Sequence, residues 1–336
     1  MNAADDSATL AYASLQPEDM IAALESVGFR CDGRFLTLNS YENRVYQIGI
    51  EDDEPVVAKF YRPQRWSDAA IREEHDFALE LEDSDIPVVG PLEINNDTLH
   101  QHGDFRFAIY PRRGGRSPDL DRAELLRQIG RFVGRIHNVG AVQPFEHRPT
   151  LDAESYGESS RDFLLSNGFI PVHIESVYEG LADEILDYVA HSEARAGDVG
   201  LLRIHADFHP SNVLVAGEAV HIVDLDDTRT GPAVQDLWMF LSGEAAEQTP
   251  QLAALLAGYT EFRSFNGAEL NLIEALRSLR IMHYAAWLAR RWADPAFQVA
   301  FPWFDSPRYW EEHVLALREQ LALMQEPPLT WIEDFR

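Results

Sequence analysis

Two hydrophobic periods divide this chain, and their order limits what it can fold into. Up to residue 110 the apolar residues fall in runs too short for helices: Arg34–Leu38, Arg44–Ile50, Pro55–Tyr61, Val88–Ile94, Thr98–His102 and Phe105–Tyr110. Turn-rich stretches at Asn39–Asn43 and Glu51–Glu54 part the first three, which predicts antiparallel hairpins. Helical periods interrupt them at Pro17–Gly28 and at Ser67–Glu82, the latter with Ile71, Phe77, Ala78 and Leu81 at core spacings. Beyond Pro111-Arg112-Arg113-Gly114-Gly115 the period turns helical, first through Leu125, Ile129, Phe132, Val133 and Ile136. It continues through Val177–Ala194, Gln251–Phe262, Glu269–Trp292 and Trp310–Met324. Only Arg203–Asp227 returns to short β-like runs. The expectation is an α+β chain of two lobes. Residues 1–110 make a small antiparallel-sheet lobe, and residues 111–336 make a larger, mostly helical lobe.

At 336 residues with 46% apolar composition, each part can hold its own core. The formal net charge of −28 argues against nucleic acid or an anionic membrane as a partner, because the summed field repels polyanions. No run approaches the ~18 uninterrupted apolar residues of a spanning helix. Cys31 is the only cysteine, so no internal disulfide can form and a reducing compartment suits the chain. The first fifteen residues contain Asp5 and Asp6 and show no basic segment followed by an apolar one. A cytoplasmic monomer is expected.

The chain has one lysine, Lys59, against 27 arginines. It sits in Val56-Val57-Ala58-Lys59-Phe60-Tyr61, a run that reads as a buried strand. Arginine offers a planar fork and lysine a compact point charge, so a site gripping phosphate oxygens with a point charge would keep the lysine. The helix that follows offers Glu73 and Glu74 as its partner. Glu74 is preferred because Phe77 and Leu81 follow it at three and seven positions along the packed face.

Downstream, His205-Ala206-Asp207-Phe208-His209-Pro210-Ser211-Asn212 leads into two short apolar runs, with Val223-Asp224-Leu225-Asp226-Asp227 after the second. Asp207 and Asn212 are separated by four residues, the spacing of a kinase catalytic loop. A neutral amide oxygen and a carboxylate suit Mg²⁺, which takes few protein ligands and several water or phosphate oxygens. Asp226 shares the face of Asp224 by alternation and is a reserve ligand. His205 and His209 are expected to hold the loop, and Asp236 to cap a helix. No G-x-G-x-x-G joins the first two strands. Asn39-Ser40-Tyr41-Glu42-Asn43 stands there instead, and only eleven residues lie between Asp224 and Asp236.

The stretch from His205 to Asn212, with Val223-Asp224, resembles the Brenner motif H-G-D-x-H-x-x-N of the aminoglycoside and choline phosphotransferases. Ala206 replaces the usual glycine, which reads as a mild change. Leu38–Tyr46, Lys59–Pro63, Gly231–Met239 and Arg290–Phe297 are similar to the stress response kinase A, or RdoA, family of bacterial serine/threonine kinases. The resemblance implies a bilobal protein-kinase-like fold, ATP and Mg²⁺ as cosubstrates, and transfer to a protein Ser or Thr, with autophosphorylation possible in principle. It implies that Asp207 accepts the proton, that Asn212 and Asp224 hold Mg²⁺, that Ser40 lines the ATP site and that Lys59 pairs with Glu74. It also implies that Tyr110 and Pro111 meet the adenine. Acceptor-side helices would lie around Arg277–Trp292.

Three alternatives stay open on sequence alone. A small-molecule alcohol or sugar kinase would share every one of these parts. A metallohydrolase would use His205, Asp207, His209 and Asp224 as ligands and leave Lys59 and Asn212 unexplained. A nucleotide-binding scaffold without catalysis would leave the intact set of Asp207, Asn212 and Asp224 without a purpose.

Overall fold

The computed structural model describes Tyr12 and residues 15–331. In chain order the elements begin with α1 (Pro17–Ser26), β1 (Cys31–Thr37), β2 (Arg44–Ile50), β3 (Val56–Phe60) and α2 (Asp68–Asp83). β4 (His100–His102), β5 (Phe105–Pro111) and α3 (Ala123–Gly140) follow. After a π-helical turn at Glu154–Glu158 come α4 (Ser159–Ser166), α5 (Glu175–Ala196) and β6 (Leu201–Ile204). The hairpin β7 (Val213–Ala216) and β8 (Ala219–Ile222) precedes β9 (Arg229–Pro232) and the short α6 (Gln235–Trp238). The rest is α7 (Ala245–Tyr259), α8 (Ile273–Arg291), α9 (Pro295–Ala300) and α10 (Pro307–Gln325). Among the described residues no helix is long and apolar enough to cross a membrane.

The chain divides into two units by internal packing. The first takes the described residues up to Pro118, together with Glu146–Arg148 and Pro210–Thr228. The second takes Asp119–Phe145, Pro149–His209 and the described residues from Arg229 onward.

In the first unit, β1 to β5 form an antiparallel sheet in the order β1-β2-β3-β5-β4. Alternation along β3 sends Ala58 and Phe60 to one face and Val57 and Lys59 to the other. The first face is apolar: Ala58 and Phe60 pack with Ile48, Phe107 and Ile109 beneath Met20, Ala23 and Leu24 of α1. The second face meets α2. Register places Val45 and Ala108 on either side of Lys59, and Tyr110 beside Val57. Ser67 caps α2 by accepting from the Ala70 N–H at 3.1 Å. The buried stripe of α2 runs Ile71, Glu74, Ala78, Leu81, so Glu74 is a carboxylate carried by helical spacing into an apolar line.

Val88–Ile94, expected as a strand, is not one. Pro87 and Pro91 have no N–H to give a ladder, so the segment cannot pair continuously. It makes single bonds instead. Val89 N–H donates to Ile222 O at 2.8 Å, Ile222 N–H donates to Pro87 O at 2.8 Å, and Leu92 N–H donates to Ile109 O at 2.7 Å. These bonds, with those between Arg116 and Val215 at 3.0 and 2.8 Å, tie the β7–β8 hairpin into the first unit.

In the second unit, α3 and α7 cross with almost no space between their backbones. A Cβ on Gly130 would lie 1.9 Å from Leu255 O, and one on Gly258 1.9 Å from Arg127 O. β6 leads into the segment 205–227 and its partner β9 follows it, and Gly140 lets α3 end against β6, since a Cβ there would be 2.1 Å from Arg203 O. α7 begins at Ala245, ahead of Pro250, where the sequence reading started the helix after that proline.

Candidate active site

The second face of the sheet opens into a cleft of about 320 Å³ within the first unit. Ser40, Lys59, Glu74, Tyr110, Pro111, Asn212 and Asp224 all line it. Seven residues singled out by sequence, the first and last of them 184 positions apart, therefore face one space. Asp207 belongs to the second unit.

Lys59 is 6% exposed. Its Nζ lies 2.8 Å from Asp226 Oδ1, 3.4 Å from Glu74 Oε1 and 3.7 Å from Asp224 Oδ1, with the Tyr61 ring 5.0 Å away. Burial alone would lower its pKa. The carboxylates of Asp226 and Glu74 outweigh burial and hold it well above the usual lysine value, so the ammonium stays charged. Asp226 feels the same balance from the other side. Burial pushes its carboxyl up, but Arg65 and Lys59 bring it down to about 2. Arg65 binds Asp226 closely and Asp227 at 2.7 Å. Glu74 is raised above the usual carboxylate value, because its burial exceeds what Lys59 returns.

Glu73, the other glutamate of α2, accepts from the N–H groups of Glu146, His147 and Arg148 at 2.5, 2.8 and 2.9 Å. Arg148 in turn donates to Thr228 O at 2.8 Å and to Asp226 O, and lies 4.0 Å over the Trp66 ring. Neighbouring glutamates thus do different work: Glu74 faces the lysine, and Glu73 fixes the arginine that holds the backbone of residues 226–228.

Asp224 and Asp226 do not share a strand face. β8 ends at Ile222, Asp224 takes a left-handed conformation with φ 64°, and Leu225–Asp227 form a 3₁₀ turn. The turn puts the Asp224 side chain at 55% exposure in the cleft and buries that of Asp226 at 6%. The reserve metal ligand of the sequence reading is therefore a buried counter-ion to Lys59 and Arg65. Asn212 is 8% exposed, and its carbonyl accepts from Val223 N–H at 3.0 Å, which seats the start of the hairpin beside its end. An amide and one exposed carboxylate on the same cleft suit a magnesium ion that keeps most of its oxygens from water or phosphate. Among the described residues no three His, Cys, Asp or Glu side chains form a ligand set, a pattern that the metallohydrolase alternative would require.

The turn that replaces a glycine-rich loop is held by side chains. Asn43 N–H donates to Ser40 Oγ at 3.3 Å, and buried Asn43 Oδ1 accepts from Arg62 N–H at 3.1 Å. Tyr110 hydroxyl lies 3.0 Å from Tyr61 hydroxyl, which lies 2.6 Å from His75 Nε2. His75 Nδ1 is 2.8 Å from Thr98 Oγ1, and burial lowers the imidazole to about 3, so it is neutral.

In the second unit, Asp236 does not cap a helix. Its carboxylate accepts from His205 N–H at 2.9 Å and Ala206 N–H at 2.8 Å, and lies 3.0 Å from His137 Nε2. His137 Nδ1 is 3.1 Å from Tyr259 hydroxyl. Gln235 Nε2–H donates to Ala206 O at 2.7 Å. Both polar backbone atoms of Ala206 are thus clamped, and its φ is 68°. The alanine is no mild replacement for glycine: it sits where only glycine is free of strain. Asp207 follows, with Oδ2 3.4 Å from His209 Nε2 and Oδ1 2.7 Å from Arg280 Nη1.

Residues 35–273 match the model of APH, the phosphotransferase enzyme family. The chain is 43% identical over 319 residues to Stress response kinase A of Escherichia coli (strain K12), covering 95% of this chain and 96% of that protein. It is 42% identical over 318 residues to a Salmonella typhimurium protein named serine/threonine protein kinase RdoA, with coverage of 95% and 96%. Among solved structures, an amicoumacin kinase in complex with AMP-PNP, Ca²⁺ and Ami superposes with a TM-score of 0.72 at 18% identity. That alignment covers 94% of this chain and 96% of the other, and at such identity it speaks for the fold.

Proposed function

The chain belongs to the phosphotransferase enzyme family and, within it, to the stress response kinase A group; from that premise we propose that it moves the γ-phosphate of ATP to a serine or threonine hydroxyl of a protein. The observation that carries the reading is the cleft shared by Ser40, Lys59, Asn212 and Asp224, which combines a buried point charge, a hydroxyl and a two-ligand oxygen set. The name of the Salmonella relative supports the protein acceptor.

Lys59 holds phosphate oxygens with a charge that its carboxylate neighbours keep protonated. Asp226 and Glu74 fix where that charge stands. Ser40 and the main chain at Tyr110 and Pro111 line the nucleotide. A magnesium ion on Asn212 and Asp224 would supply further positive charge to the phosphates. Asp207, five positions before Asn212 in the chain, takes the acceptor proton. The hydroxyl oxygen forms its bond to the γ-phosphorus as the bridging bond to the β-phosphate oxygen breaks, and ADP leaves with that electron pair. Positioning and electrostatics supply most of such a reaction's acceleration.

The test is γ-labelled ATP with Mg²⁺, given to the protein alone and then with cell extract. Label is expected on protein serine or threonine, and Asp207→Asn should lower it by roughly 10³-fold. Label confined to a small alcohol or sugar would replace the protein-acceptor reading, and native rates in Asp207→Asn would remove the base.

A further inference from the structure

We propose that Arg280 makes the enzyme select an acceptor hydroxyl with a carboxylate beside it, as on a serine flanked by Asp or Glu. The inference rests on Asp207 as the proton acceptor. Its geometry lies wholly within the second unit.

Arg280 Nη1 is 2.7 Å from Asp207 Oδ1. A base must stand about 2.6–3.2 Å from the oxygen that it deprotonates. The acceptor oxygen then lies within roughly 6 Å of the guanidinium, by the sum of those two contacts. Every group one or two bonds from that hydroxyl falls within the field of this one cation. Asp207 is nearer still and opposite in sign, so the preference comes from contact: a carboxylate that reaches the remaining N–H groups of the fork is bound, whereas an ammonium finds no partner there.

The other charges nearby are already engaged. Arg277 holds Glu274 at 3.1 Å and lies 5.3 Å over the Trp238 ring. Glu312 pairs with Arg308 at 2.7 Å. Arg280 is paired too, but its partner is Asp207 itself, which makes it the cation that stands beside the acceptor. It also lines a groove of about 480 Å³ whose walls include Trp238, Tyr284 and Tyr309.

Guanidinium carries five N–H donors in a fixed fork, so it can hold two carboxylates at once. An acidic flank that takes part of the fork loosens the grip on Asp207, which then accepts a proton more readily. One contact would thus recognise the acceptor and unmask the base. The chain's net charge of −28 opposes an acidic peptide at long range, so the preference is a short-range one that survives in physiological salt.

Three peptides, each with one serine flanked by Glu, Ala or Lys, should be offered with labelled ATP to the native enzyme, Arg280→Gln and Arg280→Lys. Native kcat/KM is expected to fall in the order Glu, Ala, Lys, with at least about tenfold between the extremes. Arg280→Gln should bring the three within about twofold, and Arg280→Lys should keep the order. Melting curves establish that each variant is folded. Equal use of the Glu and Lys peptides by the native enzyme, or an unchanged order in folded Arg280→Gln, would overturn the inference while leaving the kinase reading intact. Labelling of none of the peptides, with label on a small alcohol, would instead remove the protein-acceptor reading and the inference with it.

Discussion

Lys59 Nζ stands nearer to Asp226 than to Glu74, at 2.8 Å against 3.4 Å, and Asp226 is itself shared with Arg65. The lysine is thus one corner of a buried network in which two cations face two fully buried carboxylates. Removing one partner from such a network leaves a buried charge uncompensated.

Lys59→Met should therefore destabilise the fold by about 3 kcal/mol, as well as abolish transfer. Lys59→Arg separates the two effects. It keeps the charge, so stability should hold within about 1 kcal/mol of native, but its planar fork cannot occupy the place of a point charge. The expectation is a loss of roughly 10²-fold or more in kcat/KM, read beside a denaturant melt. Full activity in Lys59→Arg would show that charge alone suffices.

Several groups shape the acid limb of stability, His75 and Asp226 among them, with buried His313, lowered to about 4, acting in the same direction as His75. His75 has its pKa lowered to about 3, against about 6.5 when unfolded, so its contribution is present above pH 6.5 and is lost as pH falls toward 3. Asp226 is lowered to about 2 from an unfolded value near 3.9, so its contribution is present above pH 3.9 and is lost as pH falls through 2. His75 and His313 should pull the melting temperature down as pH falls below 6.5, while Glu269, raised to about 7 by burial, gains stability over the same range and offsets part of that fall. His75→Gln, which can still bond Tyr61 and Thr98, should make the melting temperature less sensitive to pH between 6.5 and 4 than in the native protein and leave the decline below pH 4. A decline of the same slope in His75→Gln would place its origin elsewhere.

Ala206 is strained by its neighbours' hydrogen bonds, and the strain is measurable. A left-handed conformation costs an L-residue about 1–2 kcal/mol, whereas glycine gives back about 0.4–1 kcal/mol through its freer unfolded chain. Ala206→Gly should stabilise the protein by about 0.5–1 kcal/mol in a denaturant titration. A destabilised Ala206→Gly would mean that the methyl group contributes packing that outweighs its backbone.

Much of this was legible in the sequence wherever one local pattern decided the outcome. Alternation fixed β2 and β3, helical spacing brought Glu74 to the lysine rather than Glu73, and the fixed spacing of Asp207, Asn212 and Asp224 marked the loop and its hairpin. The failures share a cause, which is partners distant in the chain. Asp236 reads as a helix cap because nothing local shows that His137, 99 positions earlier, and the 205–206 backbone converge on it. Asp226 reads as a ligand until Arg65, 161 positions away, is seen to bind it. Val88–Ile94 was lost for a local reason, since Pro87 and Pro91 outweigh the β-branched residues between and after them.

The burial of Lys59 has a consequence for proteolysis. An endoprotease that cleaves only after lysine has one target bond in the whole chain, and that bond lies within β3, with β2 and β5 paired on either side. No surface nick can compete with it. The cut appears only when the sheet opens, so the rate of a single cleavage, without label or spectroscopy, reports the opening free energy of the strand that carries the buried ammonium.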